Sequence, residues 1–205
     1  MLDNGAAEDL GIGPRHLLTL AEQAGVDEIV LPDTLGDAVD TISKVMAFTP
    51  YYKPDFQYMA VVQGQSLSDV YRCLGFYDGN NPAVLPITTL GIPRLLNNIH
   101  KHFRYQLAEW LVEQQFHLKF DIHFLGAHHH FVDEVAVLSE FDVFRGIDTS
   151  MPISYGLQSV SINDAGFKYY PRPRDYFELT YTNRLVDQNV DTYLDWAKYE
   201  QASAS

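Results

Sequence analysis

Short apolar blocks alternate along this chain with longer stretches of helical spacing. Glu28–Leu31 (EIVL) is a strand-like run, followed by Pro32-Asp33 and a helix-like Asp37–Phe48. Gln57–Val62 (QYMAVV) is the next strand and ends at Gln63-Gly64. Ser66 then opens a helix, with Asp69 three residues on in capping-box register. Ala83–Thr88 (AVLPIT) reads as a third strand. Ile92–Glu113 carries Leu95, Leu96, Ile99, Phe103, Leu107, Trp110 and Leu111 at helical spacing. Phe120–Leu125 (FDIHFL) is a further strand closed by Gly126, and Val132–Leu138 a short amphipathic helix. Val143–Ile147 is the last strand, ending at Asp148. A final helix, Asn183–Lys198, is expected to pack Leu185, Val190, Leu194 and Trp196.

Strands alternating with helices at this rhythm imply an α/β protein with a parallel sheet. No Gly-x-Gly-x-x-Gly or phosphate-loop motif follows any strand, which disfavours a nucleotide-binding open sheet. The polar candidates instead sit one after each strand. That spread suits a (β/α) TIM-type barrel, whose site is assembled from many strand ends. One domain over residues 1–201 is expected, with Ala202–Ser205 as a flexible tail.

Composition narrows the class. The 205 residues are 46% hydrophobic and 20% charged, enough for one real core. The longest apolar runs, such as Phe56–Val62, fall far short of the ~20 residues of a membrane helix. No basic, apolar leader opens the chain. A single cysteine, Cys73, excludes an internal disulfide and any multi-cysteine zinc cluster. A cytoplasmic location without membrane contact is the expectation. The net charge of −13 argues against broad adhesion to a phosphate backbone but leaves room for a local basic patch. Lys168–Arg174 (KYYPRPR) is one candidate, with Lys168, Arg172 and Arg174 interleaved with aromatics; it reads equally as a proline-rich surface loop.

The positions just past the strands are Asp33, Gln63 with Gly64, Thr88 and Thr89, Gly126 with His128, and Asp148. Asp3, in Leu2-Asp3-Asn4-Gly5, looks like the clipped end of another strand. Carboxylates at one rim can divide roles, one ionised as nucleophile and another carrying a proton. Each also has a bland reading: Asp33 as a turn former after proline, Asp148 as the cap of a following turn. His123, His128, His129 and His130 invite a metal, yet consecutive histidines point in different directions and rarely share an ion. No metal or cofactor is expected, and Cys73 reads as a buried apolar residue.

These motifs resemble the tRNA-guanine transglycosylase superfamily, and within it the phage and bacterial branch that inserts 7-deazaguanines into DNA. Val62-Gln63-Gly64 looks like the family's Val-Gln-Gly strand end, whose glutamine reads the base. Phe124-Leu125-Gly126 followed by Asp142–Pro152 (DVFRGIDTSMP) is similar to its last two strands. Asp148–Pro152 (DTSMP) matches the Asp-x-x-Met/Leu-Pro motif that carries the nucleophile. Asp3-Asn4-Gly5 looks like the Asp-Ser-Gly-Gly loop of the general acid/base, and Asp33 falls where an aspartate bonds the purine edge. The resemblance runs in order from Asp3 to the final helix. Asn4-Gly5-Ala6-Ala7-Glu8 and Leu31-Pro32-Asp33 are closer to the DNA-modifying branch.

The implied activity is a pentosyltransferase exchanging guanine in DNA for a 7-deazaguanine such as the 7-cyano base. Asp148 and Asp3 would be catalytic, with Asp33, Gln63, Gly64, Thr88, Thr89 and Gly126 on the substrate. DNA and a free deazapurine are the implied partners. Alternatives are the same chemistry on tRNA, or an inactive or partner-dependent barrel fragment. The tRNA enzymes' C-terminal zinc cysteines have no counterpart here, and their glycine pair is not reproduced at Thr88-Thr89. Against the family's barrel, the chain would begin at the third strand. About six strand–helix units are then expected, with two N-terminal ones missing and a second copy or a complementing subunit closing the gap.

Overall fold

Glu28–Val30 forms β1, buried at every position, and its parallel neighbour β2 spans Gln57–Val61. β3 is Thr89–Pro93, paired parallel to β2 with Met59 opposite Thr89 and Val61 opposite Gly91. β4 is Asp121–Leu125 and β5 the short Gly146–Ile147. Hydrogen-bonded neighbours follow chain order, β1-β2-β3-β4-β5, and the order does not close on itself among the described residues. Leu2 adds an isolated parallel bridge to Ile29, with Val30 N–H donating to Leu2 O at 2.9 Å. The computed structural model describes residues 1–4, 11–79, 85–127, 134, 138, 141, 143–164 and 183–203, with side chains described up to 195 in the last helix. The class is α/β. None of its described helices is long and apolar enough to cross a membrane.

Two compact units divide the chain, Met1–Phe124 and Leu125–Ser205. In the first, Ile29, Tyr58, Met59, Ala60, Leu90, Ile92, Ile122 and Phe124 are buried on the strands, as expected for a parallel sheet covered by helices. Helix α1, Pro14–Ala24, brings Leu17, Leu18 and Ala21 onto it. Pro14 at the first helical position needs no N–H partner, and Gly25 ends the helix in the left-handed region at φ 62°. Helices α2, Ala38–Phe48, and α3, Leu67–Asp78, start on Asp37 and Ser66, whose side chains accept from the backbone N–H three residues on. Each such cap stabilises its helix by about 1 kcal/mol. α4 is Phe103–Glu113.

The second unit holds β5 with α5, Met151–Leu157, and α6, Arg184–Ser203. Ala127, Met151, Tyr155 and Ile162 form its core, with Ile147, Val160 and Tyr193 packed against them. The inner face of α6 is Val186 and Asn189 with Tyr193, not the Leu185–Val190–Leu194 face that hydrophobicity predicts; Leu194 is exposed. Asn189 earns its buried place through three bonds: its amide donates to Pro152 O and Val160 O, and its oxygen accepts from Ile162 N–H.

Three further expectations are corrected. The described part of Ala83–Thr88 is not strand; β3 begins at Thr89. Pro86 would remove a ladder donor from the predicted run, whereas Gly91 and Pro93 disguise the true strand. Ile92–Glu113 is not one helix: a 3₁₀ turn at Arg94–Asn98 comes first, and left-handed His102 (φ 62°) precedes α4. Val143–Ile147 contracts to two strand residues. Of Val132–Leu138, only Glu134 and Leu138 are described, and both are helical.

Candidate functional site

Parallel strands discharge their chains at one end of the sheet, and two polar side chains from the first unit meet there. Asp33 follows β1 by three residues and Gln63 follows β2 by two. Gln63 Nε2 donates to Asp33 Oδ2 at 2.6 Å, while Asn4 Nδ2 donates to Asp33 Oδ1 at 2.7 Å and to Leu31 O at 2.5 Å. Gln63 Oε1 accepts from Gly36 N–H at 2.9 Å, and Lys44 Nζ donates to Asp33 O at 2.9 Å. Asp33 and Gln63 are 7% and 1% exposed.

Burial pushes the Asp33 carboxyl above its ordinary value, against the two amide hydrogen bonds, which favour the ion. The charge of Asp3 pushes in the same direction as burial, and that of Lys44 opposes it. Asp3 itself is exposed. The structure thus brings Asp3, Asp33 and Gln63 to one place, with Asn4 as the member that sequence reasoning quoted but gave no role. Its signal was available: a side-chain amide beside a candidate acid in a strand-end motif.

Gly64 serves the packing of this rim. A Cβ there would lie 2.5 Å from Asp69 Cβ and 3.2 Å from Val70 N, so the β2 exit can press against the start of α3 only without a side chain. Thr88 and Thr89 do not join the group. They enter β3 at the opposite, N-terminal end of the sheet, where Thr88 Oγ1 accepts from Tyr58 N–H at 3.1 Å. Thr89 Oγ1 donates to buried Glu28 Oε1 at 2.6 Å. Because β3 starts rather than stops at Thr89, the residue leaving its C-terminal end is Arg94.

In the second unit, Asp148 is exposed directly after β5. Gly126 N–H donates to its Oδ1 at 2.6 Å and Ala127 N–H to its backbone oxygen at 2.9 Å. Gly126 has φ 69°, the left-handed region that favours glycine. Tyr193, on α6, has its phenol pushed up to about 12, first by burial and then by the charge of Asp148. That neighbour was missed because an aromatic on the last helix reads as ordinary core.

His128, Lys168, Arg172 and Arg174 lie outside the described residues, as do His129 and His130. Among the described residues no three His, Cys, Asp or Glu side chains converge as metal ligands. Cys73 is buried, its Sγ 3.4 Å from Gln63 O, and burial pushes its thiol up. No family model, curated protein or solved structure matches this chain.

Proposed function

We propose that the chain is a guanine transglycosylase acting on DNA. The observation that carries this reading is Asp148: an exposed carboxylate at a strand end, one oxygen fixed by the Gly126 amide. Anchoring one oxygen orients a carboxylate for attack, which removes rotational freedom before the reaction. Asp148 attacks C1′ of the target nucleotide; the C1′–O bond forms as the C1′–N9 bond breaks. The departing guanine gains a proton and the incoming 7-deazaguanine loses one, the acid/base role for which the resemblance puts Asp3 forward. The incoming base then re-forms the C1′–N9 bond and releases Asp148.

Asp33 and Gln63 offer a carboxylate and an amide, the donor and acceptor set that a guanine-like edge demands. These groups hydrogen-bond each other, so an entering base exchanges hydrogen bonds instead of finding bare ones. Such exchange costs little net free energy per bond. A base inside a duplex is out of reach, so flipping or a single-stranded substrate is implied. In this reading the parallel sheet is part of a (β/α) barrel, with its chemistry at the C-terminal strand ends.

Exchange of labelled guanine into DNA by Asp148→Ala tests the assignment. Loss of exchange is expected, and full retention removes Asp148 as nucleophile. Matched tRNA and DNA substrates decide between the two polymers. The linear strand order favours a second reading, a barrel fragment that depends on a partner. Size-exclusion chromatography with hydrogen exchange separates it: weak protection at Leu2, β1 and β5 in the isolated chain supports the fragment.

A further inference from the structure

Leu2 runs beside β1, its N–H donating to Glu28 O at 2.8 Å and its oxygen accepting from Val30 N–H at 2.9 Å. Two residues on, Asn4 is buried at the strand-end rim. Its amide nitrogen carries two hydrogens, and both are engaged: Nδ2 donates to Leu31 O at 2.5 Å and to Asp33 Oδ1 at 2.7 Å. That nitrogen acts on a bound molecule only through Asp33.

The two amides that reach Asp33 are anchored differently. Asn4 is tied by its second hydrogen to the backbone just past β1. Gln63 is tied by its oxygen, which accepts from Gly36 N–H at 2.9 Å. Gln63 Nε2 therefore keeps a second hydrogen beyond the one given to Asp33 Oδ2, and Oδ2 keeps a second lone pair. A donor and an acceptor stand side by side there, whereas Oδ1 faces the amide that is fixed to the strand end.

We infer that Asn4 is a positioning residue of the proposed base pocket: it holds Oδ1 of Asp33, so that Oδ2, beside Gln63 Nε2, is the oxygen that meets the purine. The inference rests on the proposed reading of Asp33 and Gln63 as the groups that recognise the base. Without Asn4 the carboxylate is freer to turn about its Cβ–Cγ bond, and fixing that torsion beforehand removes an ordering cost from binding. Asn4 also favours the ionised form, because its hydrogen bond opposes the burial that raises the Asp33 carboxyl. The other groups that bear on this carboxyl are Gln63, Asp3, Lys44 on α2 and, on α3, Tyr77, whose phenol donates to Val61 O.

The test uses the full chain and two readouts. Carbon-13 shifts of labelled aspartate follow the Asp33 carboxyl without ligand, its signal identified by its absence in Asp33→Asn. Equilibrium dialysis of radiolabelled guanine measures base binding without turnover. Asn4→Ala removes the donor, and Asn4→Ser, which keeps a shorter one, carries the test if the alanine variant misfolds. Tyr58→Phe is the control, since it removes a hydrogen bond to Lys53 O near the start of β2, at the other end of the sheet. Asn4→Ala is expected to make Asp33 titrate higher and to weaken guanine binding roughly tenfold. Asn4→Ser should show a smaller shift and a smaller loss, and Tyr58→Phe neither. Three results overturn the inference alone: an unmoved Asp33 titration in the folded Asn4 variants, a moved titration with guanine affinity unchanged, or an equal loss of affinity in Tyr58→Phe. A wild type that takes up no guanine instead overturns the base-reading role of Asp33 and Gln63, and the positioning role falls with it.

Discussion

Gln63 Nε2 donates to Asp33 Oδ2 at 2.6 Å, joining the exits of two adjacent parallel strands through one buried bond. Asn4 engages the other carboxylate oxygen, so both oxygens of Asp33 face amide donors. In Asp33→Asn one of those positions becomes an NH₂ group facing a donor. With Asp33 buried, the mismatch is expected to lower unfolding free energy by about 1–3 kcal/mol. Urea denaturation of the variant checks this, and an unchanged midpoint and slope would contradict the geometry.

The same carboxyl sets a pH signature. Its folded-state value is raised by burial, so the folded chain holds the Asp33 proton more tightly than the unfolded chain. Its contribution is fully present below the ordinary value of 3.8 and is lost as pH rises through the higher folded value. Asp40 and Asp69 run the other way; their lowered values make their contributions disappear as pH falls. The difference in stability between wild type and Asp33→Asn isolates the first trend. It should shift against the wild type as pH rises above about 4, within the carboxylate range. Parallel pH profiles for the two proteins would show that Asp33 is not perturbed.

Gly64→Ala should destabilise the first unit, because the new Cβ would lie 2.5 Å from Asp69 Cβ and 3.2 Å from Val70 N. Overpacking of this kind costs typically about 1–3 kcal/mol. Thermal unfolding provides the measurement; a variant as stable as the wild type would mean that β2 and α3 do not meet this closely.

Tyr193 reports on Asp148 without any substrate. Its phenol, pushed up to about 12 by burial and then by Asp148, should titrate lower in Asp148→Asn, with the burial contribution remaining. Carbon-13 shifts of labelled tyrosine follow it directly. Identical titration in both proteins would separate the two side chains.

Much of the α/β pattern was legible because its signals are local. Ser66 and Asp69 marked the start of α3, Asp37 marked α2, and the apolar run at Gln57 marked β2. What stayed hidden was set by tertiary context. β3 reads poorly because Gly91 and Pro93 are weak strand formers that buried neighbours on both faces override. α1 is framed in the sequence only by Pro14 and Gly25, and α5 is too short for a clear period. The inner face of α6 was misread because Asn189, a polar residue, is buried and fully hydrogen-bonded. At the rim, Asp33 and Gln63 were found from their place after strands. The misplaced β3 put Thr88 and Thr89 forward and concealed Arg94.

The proposed covalent bond between Asp148 and a nucleotide sugar can be weighed directly. Wild-type protein and Asp148→Asn are each mixed with guanine-containing single-stranded DNA, quenched in denaturant, and weighed intact by mass spectrometry. A denaturant-stable protein–DNA adduct is expected in the wild type, mapped to the peptide containing Asp148, and none in the variant. An adduct of equal yield in Asp148→Asn, or one mapped to another residue, would contradict it.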